Sequence, residues 1–276
     1  MKILLPTNFT ELSNYTIGLA ETIANNIEVE VHFVNVINAP DDSMLTNQER
    51  TISAGCITDE IEPKTLALND KILEFANKSN LKKVVKVIAG DKINTLIKYI
   101  KGNGIDMVLL GTHGSKGFKE FVEGSLAEKI ARLSPVPVLC IKEEKHGMSF
   151  KNIMIASQLV KKEHSQLKCV KTIQKAFNST LHLVKVSTPK YFDSSRSIKI
   201  KMDEYIKEHN LENVKTHVYC DFDIEKGIEN FANDYNIDLV TIGDHGFTGL
   251  QYVFRKSISK DIVNHLHRPV LTFKID

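Results

Sequence analysis

The chain has 276 residues, of which 42% are hydrophobic and 25% charged, and its formal net charge is +2 at pH 7. These values are typical of an ordinary globular protein with room for two domains and a sizeable core. The small net charge, with no Lys/Arg run longer than two residues, excludes nucleic acid and an anionic membrane surface as expected partners.

Targeting and membrane segments are not evident in the sequence. The N-terminus shows no cleavage-site pattern, and no stretch approaches the roughly 18 apolar residues of a membrane-spanning helix. We therefore expect a cytoplasmic protein. The four cysteines are scattered without CxxC spacing, which favours buried or incidental thiols over disulfides or a metal site.

Short apolar runs alternate with helical patterns along the first half of the chain. The expected strands are Lys2–Leu5, Val29–Ile37, Val84–Ala89, Ile105–Leu110 and Pro135–Lys142. Apolar residues at helical spacing lie between them, whereas a long polar segment from Asn38 to about Glu62 has no clear period. This β-α-β-α-β-α-β-α-β order predicts an α/β fold with a five-stranded parallel sheet flanked by helices. Such sheets bind ligands beyond the carboxyl ends of their strands.

The pattern starts again near residue 150, so the chain contains an internal repeat. IDMVLLGTHGSKG at Ile105–Gly117 aligns without a gap over IDLVTIGDHGFTG at Ile237–Gly249, an offset of 132 residues, and PVLCIK aligns over PVLTFK further on. We therefore predict two homologous domains in tandem, at residues 1–145 and 150–276, with the boundary in the charged segment KEEKHGMSF.

A glycine-containing stretch, GTHGSKGFKEFVEGS, runs from Gly111 to Ser125 between the fourth strand and the next helix. Gly111, Gly114 and Gly124 allow a sharp turn and a close approach of backbone amides to an anion. The helix N-terminus that follows adds unpaired N–H groups. The residues also allow a simpler interpretation, because Ser125 and Glu128 form a capping box that satisfies the helix itself.

The spacing of these glycines resembles the G-x2-G-x9-G-[ST] pattern of ATP-binding universal stress proteins. The resemblance extends over nearly the whole chain as two copies, since PTNFT and PVPVL are similar to that family's first-strand turn and fifth-strand ending. It implies two tandem doubly wound, adenine nucleotide alpha hydrolase-like domains, a stress-response or regulatory role, and ATP, with or without Mg²⁺, in the first copy. The implied nucleotide-binding residues are Thr7, Asn8, Val36, Gly111, Gly114, Gly124, Ser125 and Leu126.

Within that set the resemblance places adenine at the backbone of Val36, the nucleoside near Thr7 and Asn8, and the phosphates on the glycine loop. The family commonly has Asp where Asn8 stands, and an amide oxygen accepts weaker hydrogen bonds from a ribose than a carboxylate does. The second copy departs further, with Gln158 at the Asp position and Lys256 at the third glycine. We therefore expect nucleotide in the first domain and a degenerate second domain.

Two other functions are compatible with the sequence. One is slow ATP hydrolysis or nucleotidyl transfer on the same fold, although no residue stands out as a catalytic base or electrophile. The other is a nucleotide-independent interaction protein, which the departures at Asn8, Gln158 and Lys256 favour. No metal site is predicted, because His265 and His267 lack nearby cysteine or carboxylate partners.

The fifth strands suggest how the two domains associate. In the family that the chain resembles, dimers commonly form through these strands. We expect Pro137–Lys142 and Pro269–Lys274 to pair within one chain, which would make a pseudo-dimer and cover two exposed sheet edges. The sequence leaves a homodimer of the whole chain open.

Overall fold

A computed structural model describes residues 1–38, 67–112, 126–142, 148–159, 167–245, 266 and 268–275. Three features considered above lie largely outside these residues: the polar segment after Asn38, the glycine loop after Thr112, and the charged segment at the predicted domain boundary.

The first repeat alternates strands and helices as its apolar pattern predicts. Its elements are β1 (Lys2–Pro6), α1 (Glu11–Ala24), β2 (Glu30–Asn38), α2 (described over 67–76), β3 (Lys82–Gly90), α3 (Lys92–Asn103), β4 (Met107–Gly111), α4 (Leu126–Leu133) and β5 (Val138–Ile141). The strand bounds differ from the expected ones by a few residues at their ends, where the apolar pattern gives way to polar turns.

The second repeat follows the same order. Its elements are β6 (Asn152–Ala156), α5 (Leu167–Phe177), β7 (Thr180–Ser187), a single 3-10 turn (Pro189–Tyr191), α6 (Ser195–His209), β8 (Val214–Cys220), α7 (Ile224–Asp234), β9 (Leu239–His245) and β10 (Val270–Ile275). The repeat extends to helix caps. The carboxylate of Asp91 accepts a hydrogen bond from the Asn94 N–H at the start of α3, as that of Asp223 does from the Lys226 N–H at α7.

The ten strands of the described residues form one sheet in the order β3-β2-β1-β4-β5-β10-β9-β6-β7-β8. Neighbouring strands are parallel except β5 and β10, which pair antiparallel with Val270 opposite Cys140 and Thr272 opposite Val138. This is the pairing within one chain that was expected from the fifth strands. The sheet is therefore two five-stranded parallel halves joined at one antiparallel pair, and β3 and β8 are its edges.

Helices cover both faces of the sheet because its central strands are apolar on both sides. In β1, Ile3 and Leu5 pack into the core on one face and Leu4 into the core on the other, and all three are fully buried. One of these cores is continuous across the repeats: the Cys169 thiol on α5 lies 3.8 Å from the Met107 sulfur on β4. No helix in the described parts of the chain is both long and apolar enough to cross a bilayer.

Candidate functional site

The carboxyl ends of β1, β2 and β4 surround a cavity of about 280 Å³ in the first repeat. In the sheet, β1 lies between β2 and β4, so the chain winds outward in opposite directions on its two sides. Crevices at such a switch point are the usual ligand sites of open α/β sheets. The cavity is lined by Pro6, Thr7, Asn8, Thr10, Leu12, Ser13, Val34, Asn35, Val36, Lys92, Leu96, Leu110, Gly111, Thr112, Leu126 and Ala127.

Five of the eight residues implied by the resemblance line this cavity, namely Thr7, Asn8, Val36, Gly111 and Leu126. They come from β1, β2, β4 and the start of α4, which are far apart in the sequence. The other three, Gly114, Gly124 and Ser125, lie outside the described residues.

Thr7 ties the turn after β1 to the end of β2. Its N–H donates to the Val34 carbonyl at 2.9 Å, and its carbonyl accepts from the side-chain amide of Asn35 at 2.7 Å. Its hydroxyl accepts from the N–H of Phe9 at 3.1 Å, and Phe9 takes a left-handed conformation with φ of 63°. The turn is thus fixed by local hydrogen bonds that hold one wall of the cavity in place.

Asn8 organises the start of α1. Its Oδ1 accepts hydrogen bonds from the Thr10 hydroxyl at 2.7 Å, the Ser13 hydroxyl at 3.0 Å and the Thr10 N–H at 3.4 Å. Thr10 is the N-cap residue of α1 but makes no side-chain capping bond of its own. The Asn8 oxygen therefore stabilises the start of α1 next to the cavity.

Gly111 ends β4 where α1 passes close to the sheet. A Cβ at this position would lie 2.6 Å from the carbonyl oxygen and 2.7 Å from the Cβ of Leu12. Real Cβ atoms do not make such contacts with backbone, so this glycine is required for the close approach of helix and strand. The structure thus supplies a packing reason for Gly111 that its spacing to Gly114 does not reveal.

Thr112 follows directly and was not singled out from the sequence. Its N–H donates to the Ile141 carbonyl at 2.8 Å, and the residue is only 6% exposed. Its hydroxyl oxygen is buried and has no hydrogen-bond partner among the described residues. A buried polar atom without a partner in a cavity wall is a position where a ligand's polar group would be stabilised.

Lys92, the first residue of α3, gives the cavity its charge. Among the described lining residues it is the one charged side chain, and none of them is a carboxylate. The charge of this described lining is therefore positive, which favours an anionic ligand. Neither Lys92 nor Asn35 was selected from the sequence, because a single polar residue at the end of an element carries no periodic or spacing signal.

The second repeat has the same turn after its first strand, β6, but different side chains interact beside it. The Ser157 N–H donates to the Val184 carbonyl at 3.1 Å, and the Ser157 hydroxyl accepts from the N–H of Leu159, which has a φ of 62°. These bonds match those of Thr7. Here, however, the ammonium of Lys185 donates to Oε1 of Gln158, the residue in the place of Asn8. Lys185 itself stands in the place of Asn35.

Burial also changes the protonation equilibrium of Lys185. It lowers the pKa of the Lys185 ammonium from its ordinary value, and the nearby positive charge of Lys201 lowers it further. Lys185 is half-buried, so its side chain occupies space at the carboxyl ends of β6 and β7. Gly246, Lys256 and Ser257 of this repeat lie outside the described residues.

Other reactive groups do not form a competing site in the described parts of the chain. No cluster of three or more His, Cys, Asp or Glu side chains capable of holding a metal occurs there, and His265 and His267 lie outside them. Burial raises the pKa of the Cys140 and Cys169 thiols to about 12, which makes them poor nucleophiles at neutral pH.

Comparisons with known proteins agree with the two-repeat architecture. The model of the Universal stress protein family matches residues 1–142 and, separately, residues 149–274. Universal stress protein MJ0577 of Methanocaldococcus jannaschii is 23% identical over 154 residues, a match that covers 52% of this chain and 95% of that protein.

Two solved structures extend over both repeats. The crystal structure of a universal stress protein from Archaeoglobus fulgidus is 22% identical, covers 99% of this chain and 96% of its own, and superposes with a TM-score of 0.69. A functionally unknown protein, PA1789 of Pseudomonas aeruginosa PAO1, is 16% identical, covers 100% of this chain and 92% of its own, and has a TM-score of 0.62. With one family model matching each half, the chain belongs to the universal stress protein family and contains two tandem copies of its domain.

Proposed function

We propose that the first domain binds an adenine nucleotide, ATP with or without Mg²⁺, and that the protein is a cytoplasmic stress-response or regulatory module. The observation that carries the proposal is the cavity at the switch point of the first repeat, whose walls include Thr7, Asn8, Val36, Gly111 and Leu126. We propose residues 1–145 and 150–276 as the two domains.

The proposed pose follows the chemistry of the lining. Adenine lies against β2 near Val36, and the nucleoside lies near Thr7 and Asn8. The phosphates extend toward the N-terminus of α4, where unpaired backbone N–H groups and the helix dipole favour negative charge. A cavity of about 280 Å³ is close to the lower end of ligand-pocket volumes and suits a base and sugar.

The remaining site residues of the proposal are Gly114, Gly124 and Ser125. They would hold the phosphates through backbone amides, with Lys92 supplying a positive charge from α3. A lysine side chain in a backbone-lined phosphate site would add bulk where the anion should approach the chain, which is the defect proposed for Lys256 in the second domain.

The second domain is proposed to bind no nucleotide. Gln158 and Lys185 form a hydrogen bond where the first domain presents Asn8 and Asn35 to its cavity. We infer that the second domain serves the fold and the joint between the halves of the sheet, as one half of a pseudo-dimer.

A pair of reciprocal variants tests the proposal. Titration calorimetry with MgATP should give binding to the wild-type chain, and Gly124→Lys should abolish it because the side chain blocks the phosphates. The matched control Lys256→Gly changes the equivalent position of the other domain and should leave the binding unchanged. No heat and no thermal shift at millimolar ATP, or undiminished binding by Gly124→Lys, would contradict the proposal.

One observation favours a second candidate, a nucleotide-independent interaction protein. The Asn8 oxygen, which would have to accept a hydrogen bond from a sugar, is already bonded to Thr10 and Ser13. The same calorimetry distinguishes the candidates, because a nucleotide-independent interaction protein gives no binding heat with MgATP. Hydrolysis is not part of the proposal, since the described lining offers no histidine, thiol or carboxylate that could act as a general base.

A further inference from the structure

The sheet ends at β8, whose outer edge has no neighbouring strand among the described residues. Edge strands carry unpaired backbone N–H and C=O groups that can pair with another chain. We propose that β8 is a dimerisation surface, at which it pairs antiparallel with β8 of a second copy of this chain about a two-fold axis at His217. This surface lies at a different place from the joint between β5 and β10, and its use does not depend on a nucleotide.

The backbone of β8 determines which of its residues can pair with a new strand. The carbonyl of Asn213 and the N–H of Asp221, just outside the two ends of the strand, are both bonded to β7. Because backbone groups alternate in direction along a strand, the odd-numbered residues of β8 bond β7 and the even-numbered ones point outward. The outward residues are Val214, Thr216, Val218 and Cys220.

Antiparallel pairing about His217 brings these outward groups together. It places Thr216 opposite Val218 of the second copy and Val214 opposite Cys220 of the second copy, and each such pair exchanges two backbone hydrogen bonds. Symmetry repeats both pairs, so every outward N–H and C=O of β8 is bonded. The side chains of Thr216 and Val218 are exposed in the single chain and would meet as a cross-strand pair of β-branched residues, which is favourable in sheets.

The same register brings opposite charges together. Lys215 is exposed and forms no ion pair with another described residue. It would lie opposite Tyr219 of the second copy, in a pair without backbone hydrogen bonds, where side chains are closest. The Tyr219 hydroxyl donates to Oδ2 of Asp234 at 2.6 Å. The lysine stem would therefore run beside the tyrosine ring and carry its ammonium toward the Asp234 carboxylate, and symmetry makes this contact twice.

Three exposed apolar side chains lie at or next to this edge. Val218 is 39% exposed, Tyr235 is 42% exposed and Phe222 is 91% exposed. The ring of Tyr235 lies 4.8 Å from that of His217, so the Tyr235 side chains of the two copies would come together beside the axis. Phe222 follows the strand directly and would extend over the turn that precedes β8 in the second copy. Pairing would thus cover apolar surface that the single chain leaves in water.

The opposite edge of the sheet, β3, is protected against the same kind of pairing. An offset of 131 residues places Lys86 where β8 has His217, and β3 also carries Lys82 and Lys83. Pairing of β3 with itself would bring two Lys86 side chains together at the axis, and lysines on edge strands are a common protection against such contacts. Burial lowers the pKa of His217 from its ordinary value, so the two rings that meet at the β8 axis are uncharged near neutral pH.

The experiment is sedimentation of the full-length protein over a dilution series. The wild-type mass should be twice the 31.1 kDa of one chain and should fall toward that value on dilution. Val218→Pro removes an outward N–H that β7 does not use, a change that edge strands tolerate, and should weaken association about tenfold or more. Val87→Pro, the equivalent change in β3, is the matched control and should leave association unchanged. A wild-type chain that stays monomeric, or a Val218→Pro protein that associates like the wild type, overturns the inference.

A charge exchange tests the register without the use of proline. Lys215→Glu places a carboxylate near Asp234 of the second copy and should weaken association about fivefold or more. Adding Asp234→Lys restores opposite charges across the axis and should recover most of the lost affinity. A loss of folding caused by the first substitution would not be reversed by the second, and circular dichroism checks the fold of each variant. A double variant that associates no better than Lys215→Glu alone contradicts the pairing about His217.

Discussion

Thr112 places a buried hydroxyl without a partner in the wall of the cavity. We predict that Thr112→Val, which keeps the shape and removes the oxygen, raises the free energy of unfolding of the empty protein by about 1 kcal/mol. If a nucleotide satisfies the hydroxyl, the same change should weaken ATP binding several-fold. Thermal melts with and without ATP measure both effects.

Thr241→Val is a matched control for that prediction. The Thr241 hydroxyl is also buried, but it donates to the Met154 carbonyl at 2.8 Å. Its removal should therefore destabilise the protein by about 1 kcal/mol and leave the ATP affinity unchanged. Equal destabilisation by both variants would show that the Thr112 hydroxyl already has a partner in the free protein.

Gly111 leads to a second prediction at the scale of single residues. Gly111→Ala should lower the free energy of unfolding by about 2 kcal/mol or more, because its Cβ would overlap the backbone of Leu12. Gly18→Ala in α1 is the control. Outside the helix's own backbone and the two neighbouring residues, no atom of the described residues lies within 4 Å of a Cβ there, so the better helix propensity of alanine should stabilise the protein by about 1 kcal/mol. Chemical denaturation measures both, and a neutral Gly111→Ala would contradict the proposed packing role.

The sequence could supply only part of the candidate site. The glycine spacing led to Gly111, and its resemblance to a family led to Thr7, Asn8, Val36 and Leu126, all of which line the cavity. Lys92, Asn35 and Thr112 were missed. Each is one polar residue at the end of a strand or helix, and only the tertiary arrangement of those ends brings them together.

At the scale of elements, β7 and β8 carry a pair of stacked histidines. The rings of His182 and His217 lie 5.1 Å apart at an angle of 7°. Burial, with smaller contributions from His217 and Lys215, lowers the pKa of His182 from its ordinary 6.5 to about 4. His182 is therefore neutral in the folded chain near neutral pH, whereas in the unfolded chain it takes up a proton below about pH 6.5.

This difference predicts the direction of a pH effect. Stability should be fully present above pH 6.5 and should fall, on the order of 2 kcal/mol for this residue, as the pH drops from 6.5 toward 4. His182→Phe, which packs against the same aromatic neighbours, should reduce the slope of unfolding free energy against pH in this window. Parallel slopes for wild type and variant in urea titrations would contradict the assignment.

The elements themselves were largely predictable, because buried parallel strands are apolar on both faces and stand out as short uninterrupted runs. Their number, type and order in the described residues follow the sequence pattern, and the offset of 132 residues carries over to the caps Asp91 and Asp223. The hydrogen bond between Lys185 and Gln158 was not predictable, because it joins two strand ends through side chains that have no fixed spacing.

At the scale of the whole molecule, the two domains share one sheet and one of their cores. The antiparallel pair of β5 and β10 joins the sheet halves, and Met107 packs against Cys169 across the repeats. We predict that both domains unfold in a single calorimetric transition. Saturating ATP, at about 100 times its dissociation constant, should raise the midpoint of that whole transition by roughly 5 °C.

The Gly124→Lys variant is the control for the ATP effect and should show one transition that ATP does not move. Two separate transitions in the wild type, of which ATP moves only one, would show that the shared core does not couple the domains.

The pairing of β5 with β10 could be anticipated from the sequence of the fifth strands. The extent of the shared core could not, because apolar residues in α5 and β4 give no indication of which domain they will face.

The antiparallel joint also bears on how the two halves can change through evolution. The strands of the two halves point in opposite directions, so the cavity and the bonded pair of Gln158 and Lys185 lie on opposite rims of the sheet. In a pair of identical subunits, every mutation occurs twice and alters both rims together. In a single chain that contains both halves, a mutation changes only one of them. Residues on one rim can therefore lose the side chains that bind a ligand while those on the other rim stay the same.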